Sequence, residues 1–272
     1  MTVTKITKMD YLFEHYNKFN EDKRLKSRHG MIEYINTMRY VDEYLEKLEK
    51  DGRNKSEIKI ADIGAGTGAY CGPLSERGYD VSAVELIQHN LGRLKQNYPL
   101  VKAHKGNALK LKKLGSDEYD ITLLFGPMYH LFGRDDKLTA LSEAKRITKS
   151  DGIIFVAYLT NDYGVVTYAF KEHHARECMD SGKLDEDFVI RGSEEDIYDY
   201  IRLSDIDSLN KEAGLKRERI FSPDGPADYM RESLKEMSDD EFNLFVDYQY
   251  KNGERPELLG AGAHLVDLLR KQ

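Results

Sequence analysis

The run Asp62-Ile63-Gly64-Ala65-Gly66-Thr67-Gly68 constrains this chain more than any other stretch, because it closes an apolar segment, Ile58 to Ile63, and opens a helical one. Glycines at such a junction have a physical purpose. Gly64 permits a tight turn, Gly66 lets the backbone approach a ligand closely, and the start of the next helix offers free N–H groups. In an open α/β sheet a ligand then belongs at the carboxyl ends of the strands, where their order reverses. The spacing is GxGxG and no Gly-Lys-Ser/Thr follows, so a phosphate-gripping P-loop is excluded.

The alternation around this turn predicts the fold class. Strand-like segments are expected at Ile58 to Ile63, Tyr79 to Val84, Val101 to His104, Asp120 to Phe125 and Gly152 to Leu159. Helical segments of 10 to 15 residues stand between several of them, such as Gln88 to Asn97 and Lys137 to Thr148. Continuous apolar strands separated by helices imply βαβ units and a parallel sheet covered on both faces. Before the sheet, Met31, Ile32, Ile35, Met38, Val41, Leu45 and Leu48 recur at helical spacing. Residues 160 to 200 interrupt the alternation with a mixed, aromatic and charged segment, expected to lie over the sheet's edge. A helix follows at Ser204 to Ala213, with Ser204 as N-cap, Asp207 in the capping-box position and Gly214 as C-cap. A strand at Leu215 to Phe221 and a helix at Asp239 to Tyr250 come next, while the tail Gly262 to Arg270 fits either strand or helix.

Composition narrows the partners. The 272 residues carry 41 Lys and Arg against 48 Asp and Glu, a net charge of −7, which argues against a dedicated nucleic-acid binder although a local basic patch can hide within it. The longest apolar stretch, Ile153 to Leu159, falls far short of the ~20 residues of a membrane helix, and no signal peptide is read at the N-terminus, so no membrane partner is expected. Cys71 and Cys178 lie in no metal-binding spacing, and two such distant cysteines suit free thiols in a reducing cytoplasm. A cytoplasmic location is the expectation.

Glu85 closes the second strand, 23 residues after Asp62, where a carboxylate can accept hydrogen bonds from both hydroxyls of a ribose. Glycine turns do join strands to helices without a ligand, and strand-end glutamates are often merely solvated. The glycine loop and Glu85 together resemble the class I S-adenosylmethionine-dependent methyltransferases. Asp62 to Gly68 matches the first motif of that family, Glu85 its acidic residue on the second strand, and Gly106-Asn107-Ala108 its usual Gly-Asp-Ala. Phe125 to Leu131 falls at its fourth-strand motif and Ser150-Asp151-Gly152 at the turn before strand five.

The resemblance covers about residues 55 to 160 and the helix and strand from Ser204 to Phe221. It implies a Rossmann-like α/β fold: a seven-stranded, mostly parallel sheet with helices on both faces, an N-terminal helical lid and an insertion after strand 5. The expected organisation is an N-terminal helical cap over 1–50, the first part of the cofactor-binding core over 51–159, an insertion covering the acceptor site over 160–202, and the rest of the core over 203–272 with a helical excursion near 225–258. By the same analogy Gly262 to Arg270 is an antiparallel seventh strand.

The resemblance further implies S-adenosylmethionine as cofactor, held by Asp62, Gly64, Ala65, Gly66, Gly68, Glu85, Leu86, Asn107, Ala108, Phe125 and Gly126. Asn107 replaces the usual aspartate near the adenine amino group, from which its side-chain carbonyl can still accept a hydrogen bond. The sequence Gly126-Pro127-Met128-Tyr129 lacks the polar group that holds an amine in the Asn/Asp-Pro-Pro-Tyr/Phe enzymes, which weighs against adenine-N6 and glutamine targets. Tyr129 and His130 are the candidates for acceptor orientation or proton removal, the alternative being that Tyr129 packs and His130 caps a helix. Tyr16 and Tyr34 are possible lid contacts by cation–π attraction to the sulfonium, or plain core. His173 and His174 are better read as solvated surface. No metal is expected. A small-molecule acceptor is the leading reading. The alternatives are an RNA or protein acceptor, a non-catalytic cofactor-binding module and, third, a nicotinamide-dependent dehydrogenase.

Overall fold

A strand such as Tyr119–Leu124, buried at all six positions, needs cover on both of its faces. The computed structural model, which describes residues 24, 25 and 27–272, supplies that cover from two helical layers. The elements run α1 (Arg28–Lys50), β1 (Lys59–Ile63), α2 (Cys71–Glu76), β2 (Asp80–Glu85), α3 (Gln88–Asn97), β3 (Lys102–Lys105), β4 (Tyr119–Leu124), α4 (Arg134–Ile147) and β5 (Thr148–Leu159). Next come α5 (Asn161–Gly164), which runs into a π-helix over Val165–Lys171, then α6 (Ala175–Asp180), α7 (Leu203–Ala213), β6 (Leu215–Phe221), α8 (Arg231–Glu236), α9 (Asp239–Asn252) and β7 (His264–Lys271).

The seven strands form one sheet in the order β3-β2-β1-β4-β5-β7-β6. Strands β1 to β5 pair in parallel, and β7 is antiparallel to both neighbours. The order reverses between β1 and β4, so the crevice for a ligand opens beyond their carboxyl ends. Successive strand residues point to opposite faces. Ile60, Ile121, Phe155 and Leu268 therefore pack with Leu45 of α1, Leu74 of α2 and Leu94 of α3. On the other face, Ala61, Ile154 and Leu269 pack with Leu141 of α4 and Ile206 of α7.

Helix α1 has two roles along its length. From Met38 onward it covers the sheet, with Tyr40 stacked on Phe221 at 3.6 Å and Tyr44 edge-on to Phe155 at 5.6 Å. Its first turns, with Glu33 and Thr37, face the crevice instead.

Three sequence expectations need correction or completion. The N-cap of α7 is Arg202, whose N–H donates to the Asp205 carboxylate at 3.3 Å, so the box lies two residues earlier than Ser204 and Asp207. Gly214 does cap the helix, in the left-handed conformation at φ +61°. The segment after β5 does not lie over a lateral edge. Strand β5 is interior, between β4 and β7, and Tyr163, Tyr198 and Tyr200 stand over the carboxyl ends of the strands. The tail is a strand, because pairing Leu159 with His264 and Ile154 with Leu269 satisfies the open side of β5.

Leu268 is fully buried on β7 in the α1 layer. Leu268→Ala is expected to lower stability by about 2–5 kcal/mol, read as a fall in the urea midpoint.

Candidate functional site

At the end of β1 the chain turns on Gly64, at φ +81°. A Cβ there would stand 2.6 Å from Pro127 Cδ and 2.9 Å from the Phe125 carbonyl oxygen, so both conformation and space require glycine. Gly66, at φ +55°, has open space where a Cβ would lie. Gly68 serves packing instead. At φ +102° it lies under the Tyr98 ring and does not line the crevice.

Glu85, buried at the end of β2, ties this loop to the second strand. Its Oε2 accepts from the Gly66 N–H at 2.9 Å and its Oε1 from the Ile87 N–H at 2.7 Å. Burial raises its carboxyl above the ordinary range, against the pull of the Ile87 and Gly66 amides. Asp62 is buried beside it, with Oδ2 accepting from the Cys71 N–H at 3.2 Å, which fixes the start of α2. Burial pushes Asp62 up to about 7; the Cys71 hydrogen bonds oppose this and the Glu85 charge adds to it. Two carboxylates so placed favour a cationic ligand group, which relieves their repulsion.

These residues line one cavity of about 680 Å³. Its first half holds Asp62, Gly64, Ala65, Gly66, Glu85, Leu86, Asn107, Ala108, Phe125 and Gly126, all expected from sequence, and also Tyr70, Ile87 and Asn90, which were not. Asn107 Oδ1 accepts from the Leu109 N–H at 3.0 Å. Tyr34 does not line the cavity. It stands behind Tyr70, ring to ring at 5.3 Å, because the spacing that makes it apolar-facing on α1 turns it onto the core. Tyr16 lies outside the described residues.

Tyr129 and His130 both line the second half, on the turn Pro127–His130. His130 Nδ1 bonds the Ile197 carbonyl at 2.8 Å, and the Tyr129 carbonyl accepts from the Asp199 N–H at 2.8 Å. The segment after β5 is thus pinned to the fourth-strand motif. His173 and His174 stay outside: neither lines the cavity, and His174 stacks on Tyr168 at 4.4 Å.

The polar end of the cavity gathers residues from distant parts of the chain. His264 opens β7, and its Nδ1 lies 2.7 Å from Asp224 Oδ2 and 3.8 Å from Glu33 Oε2. Asp224 Oδ1 also accepts from the His264 N–H, at 3.3 Å. Arg24 holds both oxygens of Glu33, at 2.6 and 3.3 Å, and Arg231 holds both oxygens of Asp228 at 2.8 Å. Burial would lower His264, but Glu33 and Asp224 outweigh it and raise the imidazole to about 9. Burial likewise raises Asp224 against the pull of His264. Burial would also raise Glu33, yet Arg24 and His264 hold it at about 2. Glu33, Asp224 and His264 offer three ligand atoms within 4.8 Å of one another. Here Arg24 and the imidazolium already compensate their charge, as a metal ion would.

None of Glu33, Asp224 or His264 was singled out from sequence. The available signal lay in the tail. Once it is a strand antiparallel to β5, its first residue must sit beside Leu159 at the carboxyl ends, where the cavity is.

The model of the methyltransferase domain family matches residues 61–156, the stretch that builds the glycine loop, Glu85 and the fourth-strand turn. That stretch is a methyltransferase domain, and the chain resembles the class I S-adenosylmethionine-dependent methyltransferases. This methyltransferase is 27% identical over 119 residues to the ubiquinone biosynthesis O-methyltransferase of Rickettsia felis, a match over 43% of this chain and 46% of that protein's length. Its fold is that of a Thermotoga maritima methyltransferase described as a possible histamine N-methyltransferase (TM-score 0.56, 19% identity, covering 95% of this chain and 98% of that one). It is also that of the magnesium protoporphyrin IX methyltransferase of Synechocystis, solved with bound S-adenosylhomocysteine (TM-score 0.53, 12% identity, 97% and 94%). S-adenosylmethionine is the cofactor of the family, and the cradle fits it: Gly66 leaves open space for close approach, and the buried Glu85 lines the cavity beside it.

Two outcomes follow. Glu85→Ala should weaken S-adenosylmethionine binding by about 1–3 kcal/mol in a calorimetric titration, since the Gly66 and Ile87 amides that shape the loop lose their acceptor. Unchanged affinity would show that the cradle does not depend on Glu85. His264, raised from 6.5 to about 9, contributes stability that is complete below about pH 6.5 and lost as pH rises through about 9. The melting temperature of the protein should therefore fall between pH 7 and 9 by more than that of His264→Gln.

Proposed function

We propose that this methyltransferase methylates a small-molecule acceptor bound in the second half of the cavity. The observation that carries the reading is the continuity of one cavity from the glycine loop to His264, at a volume usual for small-ligand sites. The Rickettsia relative, by its name, acts on a small molecule, and the net charge of −7 disfavours a long polyanion as substrate. S-adenosylmethionine supplies the methyl group as a sulfonium electrophile. Catalysis by this chain is then positioning, exclusion of water and removal of one proton from the acceptor.

The site has groups for each part. Phe125, Tyr70 and Tyr129 wall the middle of the cavity with rings, and Tyr163 and Tyr200 bring the segment after β5 over it. Tyr129 orients the acceptor. His130, held through Nδ1 by the Ile197 carbonyl, keeps the covering segment in place. His264 commits Nδ1 to Asp224, which leaves Nε2 as the nitrogen that can take the acceptor proton once the ring is neutral. The acceptor then loses X–H, gains X–CH3, and S-adenosylhomocysteine departs.

The test is transfer of labelled methyl to a panel of small phenols and amines, read together with S-adenosylhomocysteine formation. Saturable transfer to one class supports the reading. Cofactor binding with no transfer to any acceptor, RNA and protein included, would make the chain a cofactor-binding module. Turnover should rise with pH toward about 9, as His264 loses its proton. His264→Gln should reduce turnover by roughly 100-fold or more with cofactor affinity unchanged.

A further inference from the structure

Residues 86–115 contain seven Lys and Arg and no Asp or Glu, in a chain whose net charge is −7. The fold lays this stretch along one lateral margin of the sheet, as α3, the edge strand β3 and the connection into β4. Nearby carboxylates neutralise only part of it. Asp80 pairs with Lys102 at 2.6 Å, while Glu118 holds Lys59 and Glu143 holds Arg146. Lys95, Lys105, Lys110, Lys112 and Lys113 are exposed and have no ion-pair partner among the described residues. They also converge: Lys95 of α3 and Lys113 of the connection both bear on His104 of β3, whose imidazole is lowered by burial and then by these two ammonium groups.

Lysines on an edge strand discourage pairing with other sheets. That accounts for Lys102 and Lys105, but not for Lys95 on a helix or for the three lysines of the connection. We propose that this margin docks the protein on an anionic lipid surface.

Three features select lipid among polyanions. Leu100, 75% exposed, stands between α3 and β3 amid the lysines, so an apolar side chain is offered together with the charge. A polybasic patch with an apolar contact is the two-part signal that holds a protein at an anionic interface. Six of the seven cations are Lys, whose point charge suits a diffuse field rather than paired contacts to individual phosphates. The one aromatic ring of the stretch, Tyr98, packs over Gly68 and Gly72, which leaves no exposed platform for stacking bases.

The cofactor cavity begins at the same margin, with Arg93, Gly106 and Asn107 among its lining, so docking would hold the cavity beside the lipid. Among the described residues no helix is long and apolar enough to cross a membrane. The expectation of no membrane partner rested on the lack of a spanning segment, and surface docking is a different mode.

The test is cosedimentation of the full chain with vesicles of phosphatidylcholine alone and with equal parts phosphatidylglycerol, at low and physiological salt. Binding only to the anionic vesicles, weakened by salt, is expected. The triple variant Lys110→Glu, Lys112→Glu, Lys113→Glu should bind at least roughly tenfold more weakly, and Leu100→Ser several-fold more weakly. Calorimetric binding of S-adenosylmethionine and the melting temperature should be unchanged in both, which separates a lost surface from a lost fold. No binding to anionic vesicles, equal binding to both compositions, or a triple variant that binds as the parent would overturn the proposal. So would salt-dependent binding of an RNA oligomer through the same lysines without vesicle binding.

Discussion

The Glu85 carboxylate is the contact on which the ligand crevice depends. It accepts from Gly66 on the loop after β1 and from Ile87 after β2, so one side chain holds two strand ends in register at the carboxyl end of the sheet. The loop can reach it only because Gly64 turns at positive φ against Pro127, which in turn fixes where the fourth-strand motif leaves β4. Three strands are locked together by a carboxylate and a glycine. Asp62, buried within the same turn, adds the anchor for α2, and its raised pKa reflects first the cost of burying the carboxyl and then the nearby Glu85 charge.

Burial on both faces explains why the cap and the core are not separable. Helix α1 stacks Tyr40 and Tyr44 on the sheet and carries Glu33 into the cavity on the same rigid rod. Its position is further set by Arg28, which pairs with Asp239 and lies over the Phe242 ring of α9. Asn36 reaches the Pro223 carbonyl at 3.0 Å, next to Asp224. The helix that covers one face of the sheet therefore also positions both the carboxylates that bracket His264.

What was legible in the sequence was local. The glycine loop, Glu85 and the alternation of strands and helices are signals carried by neighbouring residues, and the structure brings the named residues to the lining of one cavity, apart from Gly68 and Tyr34, with Tyr16 outside the described residues. Gly68 was a packing glycine whose partner, Tyr98, lies 30 residues away. Tyr34 shares its helical spacing with core residues of α1, and only the tertiary packing places it behind Tyr70 rather than in the cavity. The polar end was illegible for a similar reason. Positions 33, 224 and 264 carry no mutual spacing, and they meet only after β7 is inserted between β5 and β6.

The charges at that polar end are matched within the protein, which determines what binding there must do. Glu33 answers Arg24, Asp228 answers Arg231 and Tyr163, and Asp224 answers His264. An acceptor with a full charge would have to displace one of these pairs and leave its partly buried partner uncompensated, which is unfavourable. A neutral acceptor with an ionisable X–H meets no such penalty, because it can enter beside the rings and give up its proton only as the methyl group arrives. The same matching keeps the imidazole charged at neutral pH. Any group that excludes water from the Glu33–His264–Asp224 cluster acts on all three titrations at once, so in the proposed reaction acceptor binding and proton transfer would be coupled through the cluster rather than through His264 alone.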